Sequence, residues 1–157
     1  MSALTFSLQG YSLSPAKFKA KLRDFEVIID EPQNLGGTDE APNPVEYLLA
    51  SYAGCLNVVG HLIAKEQGIE LKGLQIKING DLNPDKLFGK STNDRAGFQG
   101  LRVTLIPDTD AGVEQLAEWL QIVESRCPVN DNLLRSTPIR VSVEKNFKDI
   151  NQVFSLN

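Results

Sequence analysis

Two-residue alternation of apolar and polar positions marks the first part of the chain. Leu4, Phe6 and Leu8 alternate with polar neighbours, and Lys17-Phe18-Lys19-Ala20-Lys21-Leu22 alternates again after Ser14-Pro15. Phe25-Glu26-Val27-Ile28-Ile29 is a β-branched run that Pro32 ends. Successive side chains of a strand point to opposite faces, so residues 4–31 are predicted as short strands, most simply joined in antiparallel hairpins. Asn34–Asp39 follows as a loop, in which Gly36-Gly37 permits backbone angles closed to other residues.

The period then changes. Asn43-Pro44-Val45-Glu46 predicts a helix start, with Asn43 as N-cap, Pro44 at the first helical position and Glu46 three residues after the cap, where it can reach back. The helix is predicted to run to about Gln67, with Gly68 just past its end. Between Val45 and Ala64 its one charged side chain is Glu46, and Tyr47, Leu48, Leu49, Tyr52, Leu56, Val58, Val59, Leu62 and Ile63 cover nearly every face. A helix apolar all round is expected to be buried all round, and one small domain seldom surrounds a helix about 35 Å long, so a second chain is expected to close over it.

The second half repeats a strand-then-helix order. Leu71–Leu82 alternates around Leu74, Ile76 and Ile78, and residues 83–96 form a polar loop. Phe98–Ile106 is predicted as a strand ended by Pro107. Asp110 is expected to cap a helix over 111–126, where Val113, Leu116, Trp119, Leu120 and Val123 recur at helical spacing. Cys127-Pro128-Val129 leads into a short helical turn reaching Leu134, and Pro138–Glu144 is predicted as a last strand. In the tail, Phe147, Ile150, Val153 and Phe154 fall at roughly helical spacing.

Composition narrows the class. At 157 residues with no dividing linker, the chain is expected to be a single domain over 1–157 with a core sufficient without metals or disulfides. Sixteen Lys and Arg against twenty Asp and Glu give a net charge of −4, which argues against binding along a nucleic-acid backbone. Neither a signal peptide nor an 18-residue uncharged apolar run is read, so a membrane span is not expected and the expected compartment is the cytoplasm. There a disulfide is expected to be transient, catalytic or sensory rather than structural.

Chemistry therefore centres on two cysteines. A lone cysteine in an apolar helix is usually a small core hydrophobe, and Cys55 fits that reading as well as a reactive one. Cys127 precedes Pro128 near a helix start, where unpaired N–H groups lower a thiol pKa; plain capping is the alternative. His61, six residues after Cys55, is on a different helical face and reads as a core or interface histidine. A Cys/His metal site needs more ligands than the chain offers, and no cofactor is expected. If the two thiols meet, they permit oxidation to a sulfenic acid, condensation to a disulfide and reduction.

Residues 43–55, Asn-Pro-Val-Glu-Tyr-Leu-Leu-Ala-Ser-Tyr-Ala-Gly-Cys, resemble the first cysteine signature of the OsmC/Ohr family. Glu124-Ser125-Arg126-Cys127-Pro128-Val129, with Leu133 after it, resembles the second. The Gly36-Gly37 loop and the Arg95-Ala96-Gly97-Phe98 lead-in to a strand also fit, and the resemblance spans about residues 17–145. It implies an α+β fold in which antiparallel sheets wrap a long buried central helix, built as an intertwined homodimer. It also implies thiol-dependent reduction of organic hydroperoxides, with Cys55 peroxidatic, Cys127 resolving, and a dithiol reductant of the lipoyl or thioredoxin type reopening the disulfide.

Two positions depart from that pattern. The family's glutamate directly after the motif proline is Val45 here; Glu46, one residue on, lies about 100° round the helix and suits the capping box. The stretch from Phe25 to Pro44, where the family's catalytic arginine is expected, contains none; Arg23 lies just before it, and Arg95, Arg102 and Arg126 are further cations. The candidate site is thus Cys55 and Cys127, with Glu46 and Arg23 as candidate carboxylate and cation. The leading expectation is a peroxidase acting on alkyl or lipid hydroperoxides. The alternative is a non-enzymatic protein that senses redox state or binds a hydrophobic ligand.

Overall fold

The computed structural model describes residues 3–145. In chain order these form β1 (Gln9–Ser14), β2 (Lys17–Leu22), β3 (Phe25–Asp30), α1 (Pro44–Glu66), β4 (Gly73–Asp81), β5 (Gly100–Asp108), α2 (Val113–Arg126) and α3 (Pro128–Leu134), with a 3-10 turn at Gln33–Leu35. The mixed α+β class with antiparallel sheets is the one expected. The described chain divides into two compact units, one of residues 3–48 with 138–145 and one of Leu49–Thr137.

In the first unit β1, β2 and β3 form an antiparallel meander, with Phe18 opposite Ile29 and Ala20 opposite Val27. Leu22 pairs with Phe25, so Arg23-Asp24 is a two-residue turn, and Arg23 adopts φ 56° there. β3 ends at Asp30, whose side chain is fully buried. Its carboxylate accepts from the N–H groups of Glu31, Thr38 and Glu40 and from the Thr38 hydroxyl at 2.6 Å. Lys17, bonded to Glu40, stands 3.8 Å away. One carboxylate thereby organises the loop that precedes α1. Those hydrogen bonds, Thr38 foremost, hold its pKa down at about 2 against the burial that would raise it.

The helix start is as expected. Glu46 N–H donates to Asn43 Oδ1 at 2.9 Å, and Asn43 N–H donates to Glu46 Oε2 at 2.8 Å, a reciprocal capping box. The far end closes at Gly68, where φ is 70°. Ile69 N–H reaches Ala64 O at 2.8 Å and Gly68 N–H reaches Lys65 O at 3.3 Å, the paired bonds of a Schellman stop.

In the second unit β4 and β5 pair from Gly73 opposite Asp108 to Asp81 opposite Gly100. The alternation puts Leu74, Ile76 and Ile78 of β4 and Leu101, Val103 and Leu105 of β5 against the core. That core is Tyr52, Leu56, Val59, Ile63 and Ala64 of α1 with Ile69, Trp119, Val123 and Cys127. Each fully buried aliphatic side chain, such as Leu56 or Ile63, contributes about 1.5–3 kcal/mol. Gly60 permits close packing of α1: a Cβ there would stand 3.1 Å from both Leu74 Cδ2 and Trp119 Cζ2. Trp119 Nε1 donates to Gly60 O at 2.9 Å and fixes α2 to α1.

Several expectations are corrected. Residues 4–8 and 138–144 are not strands: Phe6 is 87% and Val143 95% exposed. Alternation supplies a strand with a face, but a ladder needs a neighbouring edge, and none pairs with either segment among the described residues. Within the single chain α1 is buried on one side, Val58 being 66% exposed and Leu62 also open. By length and composition α1 could cross a membrane, yet six of its residues are buried in protein. β5 runs to Asp108 through Pro107, which a two-stranded sheet tolerates on its free edge. α2 starts at Val113 after Gly112 with no side-chain cap; Asp110 lies two residues before that N-cap, its carboxylate 3.3 Å from Lys72 Nζ. The helical spacing read at 147–154 lies outside the described residues.

Candidate active site

Two helical devices bring the thiols together. Cys55 lies mid-α1, one residue before buried Leu56 and three after buried Tyr52, and is half-buried. Cys127 is at once the last cap of α2 and the N-cap of α3, in extended conformation (φ −79°, ψ 112°) with Pro128 next. Pro128 suits the first helical position, and the break lets α3 leave α2 with the Cys127 sulfur turned inward. The Cys127 Sγ accepts from Asn130 N–H at 3.5 Å. It lies 3.0 Å from Cys55 Sγ, the S–H of Cys127 donating. Both cysteines are free thiols.

The electrostatics of Cys127 differ from the expectation raised by its helix start. Its pKa is raised, first by burial and then by its bond to Cys55, while the N–H groups of Asn130 and Val129 pull the other way. A side chain only 1% exposed loses more hydration than two backbone dipoles return. Arg126, beside it in sequence, is not turned to the thiol. Its guanidinium binds both Glu66 oxygens, at 2.5 and 3.1 Å, tying the α2–α3 junction to the end of α1.

The other candidates have local partners. Glu46 serves the capping box, and Arg23 sits over the Phe25 ring, 5.0 Å from its centroid; both belong to the first unit. His61 is exposed, its Nδ1 2.9 Å from Asn57 O on its own helix. Arg102 pairs with Asp81 at 2.6 Å. Among the described residues, no group of three or more His, Cys, Asp or Glu is gathered to hold a metal ion.

Sequence reasoning missed two residues around the sulfurs. Tyr52, read as one of many apolar helix positions, donates its hydroxyl to Asn130 Oδ1 at 2.5 Å. Burial raises the Tyr52 pKa, and Cys127, Glu124 and Cys55 add to the shift. Asn130, not singled out at all, also donates Nδ2 to Glu124 O at 2.9 Å. The available signal was spacing: Tyr52 is three residues before Cys55, and Asn130 three after Cys127. Tyr52 and Leu56 also line an apolar cavity of about 320 Å³ with Val103, Leu105, Leu116 and Trp119.

A helix-borne cysteine facing a helix-capping cysteine, on a mixed fold of antiparallel sheets, defines a class of two-thiol α+β proteins. The family model described as OsmC-like protein matches residues 37–143, and the chain belongs to that family. Solved structures agree in fold. An OsmC-like protein from Mycoplasma pneumoniae superposes with a TM-score of 0.74 at 17% identity, covering 86% of this chain and 91% of that one. An organic hydroperoxide resistance protein OsmC from Legionella pneumophila gives 0.59 at 22% identity, covering 87% and 93%. An organic hydroperoxide resistance protein from Elizabethkingia anophelis gives 0.62 at 19% identity, covering 86% and 91%. Among curated proteins no sequence match is found.

Proposed function

We propose that the chain is a cytoplasmic, homodimeric thiol peroxidase that reduces organic hydroperoxides. The observation that carries this reading is the 3.0 Å separation of two free thiols 72 residues apart in sequence. In the proposed cycle Cys55, as thiolate, attacks the distal oxygen of ROOH; the O–O bond breaks, the alkoxide takes a proton from water and leaves as ROH, and Cys55 becomes a sulfenic acid. Cys127 then forms the disulfide with loss of water, and a dithiol of the lipoyl or thioredoxin type restores both thiols. The neighbours named for organic hydroperoxide resistance support the substrate class. The apolar cavity, which shares Tyr52 and Leu56 with the turn carrying Cys55, favours an alkyl or lipid substituent.

A homodimer is supported by apolar surface that a single chain leaves open. Val58 and Leu62 are exposed on α1, and Ile139, Val141 and Val143 alternate along an exposed segment that pairs with no strand among the described residues. A second chain supplying that edge would turn the segment into the strand that its sequence encodes. Glu46 is engaged at the helix start and Val45 occupies the family's glutamate position, so the proposed chemistry rests on the cysteines rather than on Glu46 or Arg23.

The test is turnover of cumene hydroperoxide with a dithiol reductant by wild type and Cys55→Ser. Wild type should turn over and the variant should not. Equal, slow consumption by both would leave the second reading, which the apolar cavity favours: a protein that binds a hydrophobic ligand without reducing it.

A further inference from the structure

The bonds around Asn130 converge on the resolving sulfur. Its Oδ1 accepts from Tyr52 of α1, and its Nδ2 donates to Glu124 O in the last turn of α2. Its backbone N–H faces Cys127 Sγ. Tyr52, Asn130 and Cys127 are all buried. Glu124 O is among the last four carbonyls of α2, which have no partner within their own helix, so Asn130 satisfies an acceptor that would otherwise be orphaned. One amide thus joins three helices around one sulfur, with each end of its side chain used once.

We propose that Asn130, held by Tyr52, is the positioning residue for closure of the disulfide; this rests on the two-thiol reading above. In the closing step the Cys127 sulfur attacks the sulfenic sulfur of Cys55. The S–S bond forms, the S–O bond breaks, and the departing hydroxide takes the Cys127 proton and leaves as water. As that proton departs, negative charge grows on Cys127 Sγ, and the Asn130 N–H is aimed at it. The N–H keeps this aim only while the first turn of α3 is fixed. The Tyr52 hydroxyl and Glu124 carbonyl fix it through the amide. In this role Tyr52 acts through Asn130.

Tyr52→Phe keeps the ring and removes the donor, leaving a buried amide oxygen unpaired, and Asn130→Ala removes the clamp itself. Two rates separate positioning from general loosening: loss of the Cys55 thiol to cumene hydroperoxide, and appearance of the Cys55–Cys127 disulfide. Asn130→Ala should react with peroxide at the wild-type rate, and both variants should close the disulfide about tenfold more slowly, since a lost buried hydrogen bond is of that order. The sulfenic acid should meanwhile accumulate and be trapped by dimedone. The double variant should be no slower than Asn130→Ala alone, because Tyr52 acts through that amide. Closure at the wild-type rate in either variant, or equal slowing of both steps in Asn130→Ala, overturns the proposal.

A second arm needs no peroxide. Ellman's reagent converts Cys55 to a mixed disulfide, and Cys127 attack then releases the second equivalent of thionitrobenzoate. The same tenfold slowing is expected in both variants, and release at the wild-type rate overturns the proposal. Wild type that releases the second equivalent rapidly yet ignores hydroperoxide would refute the peroxidase reading while leaving the clamp intact.

Discussion

Oxidation should make this protein more stable, by an amount its thiol geometry sets. The perturbation is closure of the Cys55–Cys127 bond, which ties a loop of 72 residues. Loop-closure entropy for that length lowers the free energy of folding by about 4 kcal/mol, provided the native state is not strained. The sulfurs already lie 3.0 Å apart, so bond formation needs a movement of about 1 Å, small enough for side-chain torsions to supply. The same energy, taken round the thermodynamic cycle, is the preference of the folded chain for the disulfide over that of the unfolded chain, about a thousandfold. The assay is guanidinium unfolding of reduced and peroxide-oxidised protein at one fixed concentration. With a slope of about 4 kcal/mol/M, the midpoint should rise by about 1 M on oxidation. Cys127→Ser treated identically should not shift. A midpoint for the disulfide form equal to or below that of the reduced form would refute the reasoning, because the thiols would then not stand where a bond can form without distorting the fold.

Other consequences follow from the caps and the core. Because the Asp30 pKa is held at about 2, below the usual carboxylate value, its contribution is present in full above about pH 4 and is lost as pH falls towards 2. Urea midpoints measured from pH 6 to pH 2 should therefore drop in that window, and Asp30→Asn should start lower and drop less. Trp119→Phe removes the hydrogen bond to Gly60 O and leaves a void between α1 and α2, costing about 2 kcal/mol in a denaturant titration. Asn43→Ala should cost about 1 kcal/mol through the lost cap. Glu46→Gln, which retains an acceptor for Asn43 N–H, should leave peroxide turnover unchanged.

What the sequence made legible was local. The capping box at Asn43 and Glu46, the glycine stop at Gly68 and the N-cap at Cys127 each depend on residues within three or four positions, and each is present. What stayed hidden depends on partners distant in sequence. Asp110 had the residue type for a cap, but α2 starts later, with Gly112 at the cap, and the Asp110 carboxylate meets Lys72, 38 residues away. Tyr52 and Asn130 are 78 residues apart, and the three-residue spacing of each from a cysteine does not announce that they bond to one another. Asp30 had a faint local signal, an acid at a strand end just before a Gly-Gly loop, but its ring of N–H donors exists only once that loop has turned back. The segments at 4–8 and 138–144 carry the alternation of a strand but are not strands among the described residues, since pairing is a property of two strands.

Burial supplies a reason for the proposed order of the cysteines that is independent of resemblance to any family. The first sulfur in the cycle must meet a peroxide arriving from outside, and the second needs to reach only its neighbour. Cys55 is half-buried, whereas Cys127 is 1% exposed with its pKa pushed up. A thiol so placed keeps its proton near neutrality and presents little surface to an incoming molecule, which suits it poorly to begin the reaction. Neither property hinders the second step, where the electrophile is generated beside Cys127 and the proton it still holds is the one needed to carry away hydroxide. In the proposed cycle the helix start of α3 would then orient Cys127 rather than activate it, through the Asn130 N–H that faces its sulfur.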